Sequence, residues 1–414
     1  MAIIKPFKGI RPQKKYVDRV ACKPYDVLNS EEAKMEARDN AISFLHVEKA
    51  EIDLPPETDL YDKSVYQKAK ENFNKMVSDG IFSQDSSDSL YVYSQTWKGK
   101  TQFGLVGCAS VEDYWNNIIK RHELTRPDKE NDRKNHIETT NIQSGPIFLT
   151  YPDVAEVDQI ISLITKDNPE YNFIASDEVE HTFWLIQNSE IIQKLVHIFE
   201  KIPSIYIADG HHRSASASIV GREKKENNPK HTGQEEYNFF LAVYFPASQL
   251  RIMDYNRVVK DLNGLNESEF LDKIKAYFDI TQIKYELYKP NKLHEIGMYL
   301  GQKWYSLLAK EGTYDDFDPI GVLDVTILSK CILDPILGIQ DLRRDKRIDF
   351  VGGIRGSEEL KKRVDSNEMK VAFAMYPVSI EQLITISDTG NIMPPKTTWF
   401  EPKLRSGLVV HSIE

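Results

Sequence analysis

The sequence predicts an α/β (α+β) fold with more than one lobe, and three observations carry that expectation. Short apolar runs alternate with polar, helix-forming stretches along most of the chain. Two apolar runs flank Lys98-Gly99-Lys100 in the manner of a β-hairpin. A buried-type run, Ile205 to Ala208, ends in Asp209-Gly210 and passes into His211-His212-Arg213 and a small-residue stretch, Ser214 to Ala217. That last pattern reads as strand, glycine turn and first helical turn. A chain of 414 residues is long enough for two or three cores.

Taken in order, Ala2 to Ile10 reads as a first strand interrupted by Pro6, and Cys22 to Val27 as an extended turn. Ser30 ahead of Glu31, Glu32 and Ala33 has the look of a helix N-cap with acids in the first turn. Ser43 to Val47 reads as a short strand, and Pro55-Pro56 as a loop before a helix over 64–77. Leu90 to Trp97 and Thr101 to Ala109 are the hairpin arms. His136 to Gln143 reads as helical and leads into a strand, Pro146 to Tyr151. The polar stretch 222–236 is expected as an exposed loop, Leu241 to Phe245 as a core strand, and Glu267 to Tyr277 as a helix. From Asn391 the tail is irregular and rich in Pro, Lys and Thr.

Composition bounds the function. With 41% hydrophobic and 28% charged residues, the chain has the make-up of an ordinary globular protein. A net charge of −10 argues against nucleic acid as a partner, because such binding leans on counterion release by Lys and Arg. No apolar run reaches the length of a membrane span, so no membrane role is expected. Cys22, Cys108 and Cys331 fit no zinc or redox spacing and read as reduced thiols. The N-terminus lacks an apolar signal core, and a cytoplasmic location is expected.

Chemistry concentrates in three places. The first is Asp209 to Arg213. Unpaired N–H groups at a helix start, a glycine and an arginine together suit phosphate. The second is the run Lys120 to Arg133, containing His122, Glu123, Arg126, Lys129 and Arg133. A charge run of this kind is usually a solvated helix start, but this one lies in a strand-loop-helix-strand setting, where α/β proteins place their sites. The third is the tail from Met393 to Gly407, with Lys396, Thr397, Thr398, Lys403, Arg405 and Ser406, two lysines, an arginine and three hydroxyls that could bind an anion. Its Trp399 and Phe400 would dock the segment, and its lysines would face an anion.

These residues resemble the family called domain of unknown function 1015, nearly end to end. The landmarks are Pro24-Tyr25-Asp26-Val27, His122-Glu123 with Thr125 and Asp132-Arg133, Asp209 to Arg213, and Pro395-Lys396-Thr397-Thr398 ending in Ser406-Gly407-Leu408. The middle is similar to the ParB and sulfiredoxin-like superfamily, and in chemistry to the SerK-type free-serine kinases. Those enzymes carry a His-Glu pair, a helix, a Pro-Ile strand and an Asp-Gly-His-His-Arg turn, an order repeated here by His122-Glu123, Pro146-Ile147 and Asp209 to Arg213. The departure is an insertion of about fifty residues containing Phe183-Trp184, near 152–203. The resemblance implies a ParB/sulfiredoxin-like catalytic core with insertions over residues 1–260. Residues 261–414 would form a second C-terminal α/β lobe whose Lys/Thr-rich tail contributes to the site.

The resemblance further implies a phosphotransferase that interconverts serine and O-phosphoserine with ATP or ADP and Mg²⁺. Glu123 is then the base for the serine hydroxyl, with Asp209 and His122 as its catalytic companions and Asp209 holding the metal. Gly210, His211, His212 and Arg213 hold the nucleotide. Arg126, Lys129, Arg133, Lys396, Thr397, Thr398 and Lys403 face the amino acid's carboxylate or phosphate. Asp26 or Glu31 are alternative working carboxylates. A zinc site from His122, His211, His212 and Asp209 is a second option, without a known ligand spacing. The competing function is a ParB-like regulator that binds and hydrolyses nucleotide without acting on a metabolite.

Overall fold

The computed structural model covers residues 1–414. By packing, the chain divides into two compact units. The first holds Met1–Arg121, Thr125–Leu250 and Pro402–Glu414, and the second holds His122–Leu124 and Arg251–Glu401. The division after Leu250 comes ahead of the expected 260/261 boundary, and the last stretch of the tail belongs to the first unit.

The first unit is built on a nine-stranded mixed sheet. From one edge the order is Ile119–Lys120, Ile205–Asp209, Ile147–Tyr151, Phe239–Pro246, Lys100–Ser110, Leu90–Trp97, Glu180–Ile186 and Tyr171–Ile174, with Ile4–Lys5 also pairing Lys100–Ser110. Phe239–Pro246 runs parallel to Ile147–Tyr151, whereas Ile205–Asp209 runs antiparallel to it. The expected hairpin is present: Trp97 pairs with Lys100, and Lys98 and Gly99 both take positive φ (49° and 73°) in the turn. Two positive-φ positions in a two-residue loop match the right-handed twist of the arms. Strands such as Ile147–Tyr151 are buried throughout, which explains their unbroken apolar sequences. Helices Ala155–Ile164, Ser189–Phe199 and His211–Asn227 contribute to the core that covers this sheet.

Segment 152–203 is part of the first unit's core. Its strands Tyr171–Ile174 and Glu180–Ile186 continue the main sheet beyond Leu90–Trp97, and Phe183 and Trp184 are buried there. The Glu180–Ile186 register against the hairpin supplies seven paired positions, so the segment is held by the same ladder as its neighbours.

Several elements differ from the sequence expectation. Ser43 to Val47 is not a strand; Leu45–Glu48 is a helical turn. Phe44, Leu45 and Val47 are all fully buried against Phe73, Met76 and Phe82, and such a short apolar run carries no period that separates strand from helix. The first strand is two pieces, Ile4–Lys5 and Ile10–Pro12. The N-cap at 29–30 is Asn29, which forms a reciprocal capping box with Glu32. The helix expected over 136–143 starts earlier, at Pro127, and ends at Thr140, where Asn141 takes a left-handed conformation. The loop expected from 222 starts only after Asn227, because Arg222 to Glu226 are good helix formers that extend the preceding helix.

The second unit has a six-stranded, wholly antiparallel sheet. Its order is Phe278–Ile283, Lys303–Ala309, Glu295–Leu300, Val371–Ala374, Tyr255–Val259 and Ile348–Gly352. Helix Gly356–Asp365 covers it through Leu360 and Val364. No helix in either unit is long and apolar enough to cross a membrane.

Candidate functional site

The strand-turn-helix at 205–227 forms as its sequence dictates. Ile205–Asp209 is buried up to its last residue, Gly210 turns with φ of +95°, and helix His211–Asn227 follows. An L side chain at that φ would be strained, so the turn requires glycine. The pairing register with Ile147–Tyr151 shifts between Ile207 and Asp209, a bulge that re-aims the acid at the strand end. The small residues after Arg213 let the helix sit close to its neighbour: Ser216 is fully buried and donates to the carbonyl of Glu130 at 2.9 Å.

Asp209 is tied down at both oxygens. Oδ1 accepts the Gly210 N–H at 2.9 Å and Oδ2 meets Lys403 Nζ at 2.9 Å. Burial alone would raise the carboxyl, but Lys403, Arg213 and His211 outweigh it and hold the group well below the usual carboxylate range. Arg213 reaches back across the sheet end, and its Nη1 donates to the carbonyl of Pro146 at 2.7 Å. Burial works against its charge, and Asp26, Asp209, Tyr25 and Glu48 overcome that, raising its pKa. The turn is therefore a fixed anion beside two fixed cations.

The upstream run divides by role. The backbone N–H of Arg126 donates to His212 Nε2 at 3.1 Å, so neutral His212 carries its proton on Nδ1. The Arg126 guanidinium itself turns to Asp128 at 2.7 Å and is exposed. Lys129 donates to the Tyr61 hydroxyl at 3.3 Å. Arg133 is the buried member: it pairs with Asp132 at 3.0 Å, approaches Glu48 at 3.6 Å, and lies over the Tyr25 ring at 4.2 Å. Burial opposes its charge, and Asp132, Tyr25 and Glu48 raise its pKa nonetheless.

In the second unit, His122 joins the tail. Its carbonyl accepts the Met393 N–H at 2.8 Å, and its Nε2 lies 3.3 Å from Thr398 Oγ1. Glu123 is half-buried. Thr397 Oγ1 donates to the Pro394 carbonyl at 2.6 Å, and exposed Lys396 has φ of +58°. That unusual backbone is braced by Arg257, fully buried, whose Nη2 donates to the Lys396 carbonyl at 3.0 Å. Burial pushes the Arg257 guanidinium down to about 10. So the structure brings His122 to Thr398 in one unit, and Asp209 to Lys403 in the other.

A carboxylate offers about four lone-pair sites, and Asp209 has two of them engaged, by the Gly210 N–H and by Lys403. His212 fits a zinc site less well, because its Nε2 lone pair is taken by Arg126. Of the alternative carboxylates, Asp26 is exposed yet acts on Arg213, and Glu31 lies in the first turn of helix Ser30–Ala37, where an acid stabilises the helix dipole.

The family described as Protein of unknown function (DUF1015) matches residues 4–326. The chain belongs to that family. Among solved structures, a free serine kinase variant in complex with AMP is similar at 12% identity and a TM-score of 0.37, covering 71% of this chain and 87% of that one. SbnI with a C-terminal truncation, from Staphylococcus aureus, is similar at 13% identity and a TM-score of 0.37, covering 72% and 82%. A conserved hypothetical protein from Pyrococcus furiosus is similar at 13% identity and a TM-score of 0.35, covering 73% and 93%. No curated protein matches the chain.

In this DUF1015 chain, sequence reasoning missed two residues. Glu48 ends the apolar run read as a strand, and only the helical turn directs it inward. Arg257 gave no signal, since an arginine in an antiparallel strand is ordinarily exposed. Ser406 was legible, as one of the three tail hydroxyls expected to face an anion.

Proposed function

We propose that the protein is a small-molecule phosphotransferase that interconverts serine and O-phosphoserine with an adenine nucleotide, ATP or ADP. The observation that carries the reading is the Asp209 turn: an ionised carboxylate paired with Lys403, beside Arg213, at the start of a long helix. Phosphoryl transfer is mostly positioning and charge neutralisation, and these groups supply both. Helix-start N–H groups and Arg213 hold nucleotide phosphates. Asp209 would hold Mg²⁺, which when bound neutralises phosphate charge. Lys403 keeps Asp209 ionised and adds a cation for the transferring group. On the resemblance of the His-Glu pair to the serine kinases, Glu123 takes the proton from the serine hydroxyl as that oxygen attacks the terminal phosphorus; the P–O bond to that phosphorus breaks, and the nucleotide leaves one phosphate shorter.

The test is transfer of label from γ-labelled ATP to L-serine, and of phosphate from O-phosphoserine to ADP, by the full chain. Labelled O-phosphoserine is the expected product. Release of inorganic phosphate alone would assign the turn to a regulatory hydrolase. Failure to bind ATP or ADP would remove the nucleotide reading altogether.

A further inference from the structure

Beside the Asp209 turn, the first unit contains a cavity whose polar lining is not satisfied from within. It lies between Tyr25, Glu48, Arg133, Gly145 and Arg213 and is partly open to solvent. Glu48 is 4% exposed and its Oε1 has no hydrogen-bond partner; Ser406 is 1% exposed and its Oγ has none; Arg213 Nε has none either. A buried polar atom left unpaired is costly, and more so when charged. Folded proteins rarely tolerate one, and here the three belong to residues that converge.

The point of convergence is Gly145. A methyl group placed on it would stand 3.0 Å from Ser406 Oγ, 3.2 Å from Glu48 Oε1 and 3.3 Å from Arg213 Nη1. The missing side chain leaves room that a carboxylate, a hydroxyl and a guanidinium all face. The same guanidinium approaches Gly210 on its other side, with Nε 3.4 Å from where a Cβ would lie. The cradle therefore adjoins the proposed phosphate turn.

The polarity selects the occupant. Glu48 Oε1 needs a donor, and a buried carboxylate is best met by a cation. Arg133, its nearest cation, stands off at 3.6 Å from the other oxygen and is already paired with Asp132. His136, also lining the cavity, is held neutral: burial first, then Arg133, lowers its pKa, and its Nε2 lies 3.0 Å from the Val47 carbonyl. Arg213 Nε needs an acceptor, and Ser406 takes either role. A small molecule with an ammonium group and an oxygen a few bonds away answers all three. An inorganic anion does not, because Glu48 would repel it.

We infer that the Gly145 cradle binds the ammonium group of an amino-acid substrate, with Glu48 as its counter-ion. The inference rests on the serine reading above for the identity of that amine, and it assigns the substrate's amino end to residues outside the phosphate turn. Water is the alternative occupant, since two or three ordered waters would also satisfy these atoms.

The experiment is calorimetric titration of the full chain with L-serine and with 3-hydroxypropionate, which lacks only the amine. L-Serine should bind about tenfold or more tightly than 3-hydroxypropionate, the scale of one charge-assisted hydrogen bond. Glu48→Gln should cost L-serine about tenfold and leave 3-hydroxypropionate and ADP unchanged. Gly145→Ala should weaken L-serine similarly by filling the cradle while keeping every charge, and its backbone needs no unusual φ. The inference is overturned if both variants, folded by circular dichroism, bind L-serine like the wild type. It is equally overturned if the wild type binds neither compound, or both alike; the cradle then holds water. Serine phosphorylation with an unchanged KM in Glu48→Gln would sink this inference and spare the phosphotransferase reading. Amine-dependent binding without phosphoryl transfer would do the reverse.

Discussion

His181 shows how a single buried group sets a pH dependence. Its Nδ1 lies 2.7 Å from the Tyr93 hydroxyl, and Arg405 Nε donates to its Nε2 at 3.2 Å. Burial first, and then the Arg405 charge, push the imidazole from 6.5 down to about 3. The folded pKa is depressed, so the unfolded state binds the extra proton. The stability from this site is complete above pH 6.5 and is lost as pH falls towards 3. At pH 5 the loss is about 2 kcal/mol. Urea midpoints of wild type and His181→Gln at pH 7 and pH 5 isolate it: the wild type should lose about 2 kcal/mol more over that interval. An equal loss in both proteins would mean that His181 titrates normally. For the chemistry, Glu123→Gln should lower kcat by about 10²–10⁴-fold while nucleotide still binds, as expected for a base used only in the transition state. Near wild-type turnover would move the base to another carboxylate. Residue identities such as Asp209 and Arg213 were legible from their motif, because a glycine turn ahead of a helix constrains its neighbours strongly. Glu48 and His181 were not, since what matters about them is which distant residues surround them.

Elements were legible where local chemistry fixes them and obscure where packing decides. The Lys98-Gly99 turn and the Gly210 turn both need positive φ, and both were readable as glycine punctuation. The Phe44 to Val47 segment was not, because burial from all sides erases any period. The bulge before Asp209 has no sequence mark at all. The Gly210 turn supplies the prediction at this scale. Gly210→Ala must place a Cβ at φ of +95° and 3.4 Å from Arg213 Nε. Left-handed strain costs about 1–2 kcal/mol, and the new methyl meets the Arg213 head at ordinary contact distance. The melting temperature should fall by a few degrees, and ADP should bind about tenfold more weakly, because a turn that relaxes its strained φ moves the helix-start groups proposed to hold phosphate. A Gly210→Ala protein with unchanged melting and unchanged ADP affinity would show that the turn neither needs glycine nor holds phosphate.

For the molecule as a whole, the tail beyond Glu401 is where stability and chemistry are joined. Pro402–Glu414 packs with the first unit although the sequence leads into it from the second. Its backbone bonds Ser406 to Cys22 and Val410 to Ile10, and His411–Ser412 pairs with Ile142–Gln143. Arg405 is buried on His181 and Asp177. Leu404, Leu408, Val409, Val410 and Ile413 are all buried. At about 1.5–3 kcal/mol each, those five side chains sum to roughly 7–15 kcal/mol as an upper bound, as large as the whole stability of a typical domain. Lys403 stands apart from that apolar set: it contributes the ion pair to Asp209. Two variants therefore separate the roles. Deleting residues 402–414 should leave a chain that does not fold, seen as loss of cooperative melting or of soluble expression. Lys403→Ala should melt within a few degrees of the wild type and yet bind ADP about tenfold or more weakly, because in the proposed site it would lose a phosphate-facing cation and leave Asp209 unpaired beside the phosphates. If the truncated chain melts cooperatively near the wild-type temperature, the tail is an appendage and its buried surface is replaceable. If Lys403→Ala binds ADP normally, the Asp209–Lys403 pair is a structural strut, and the nucleotide phosphates lie elsewhere.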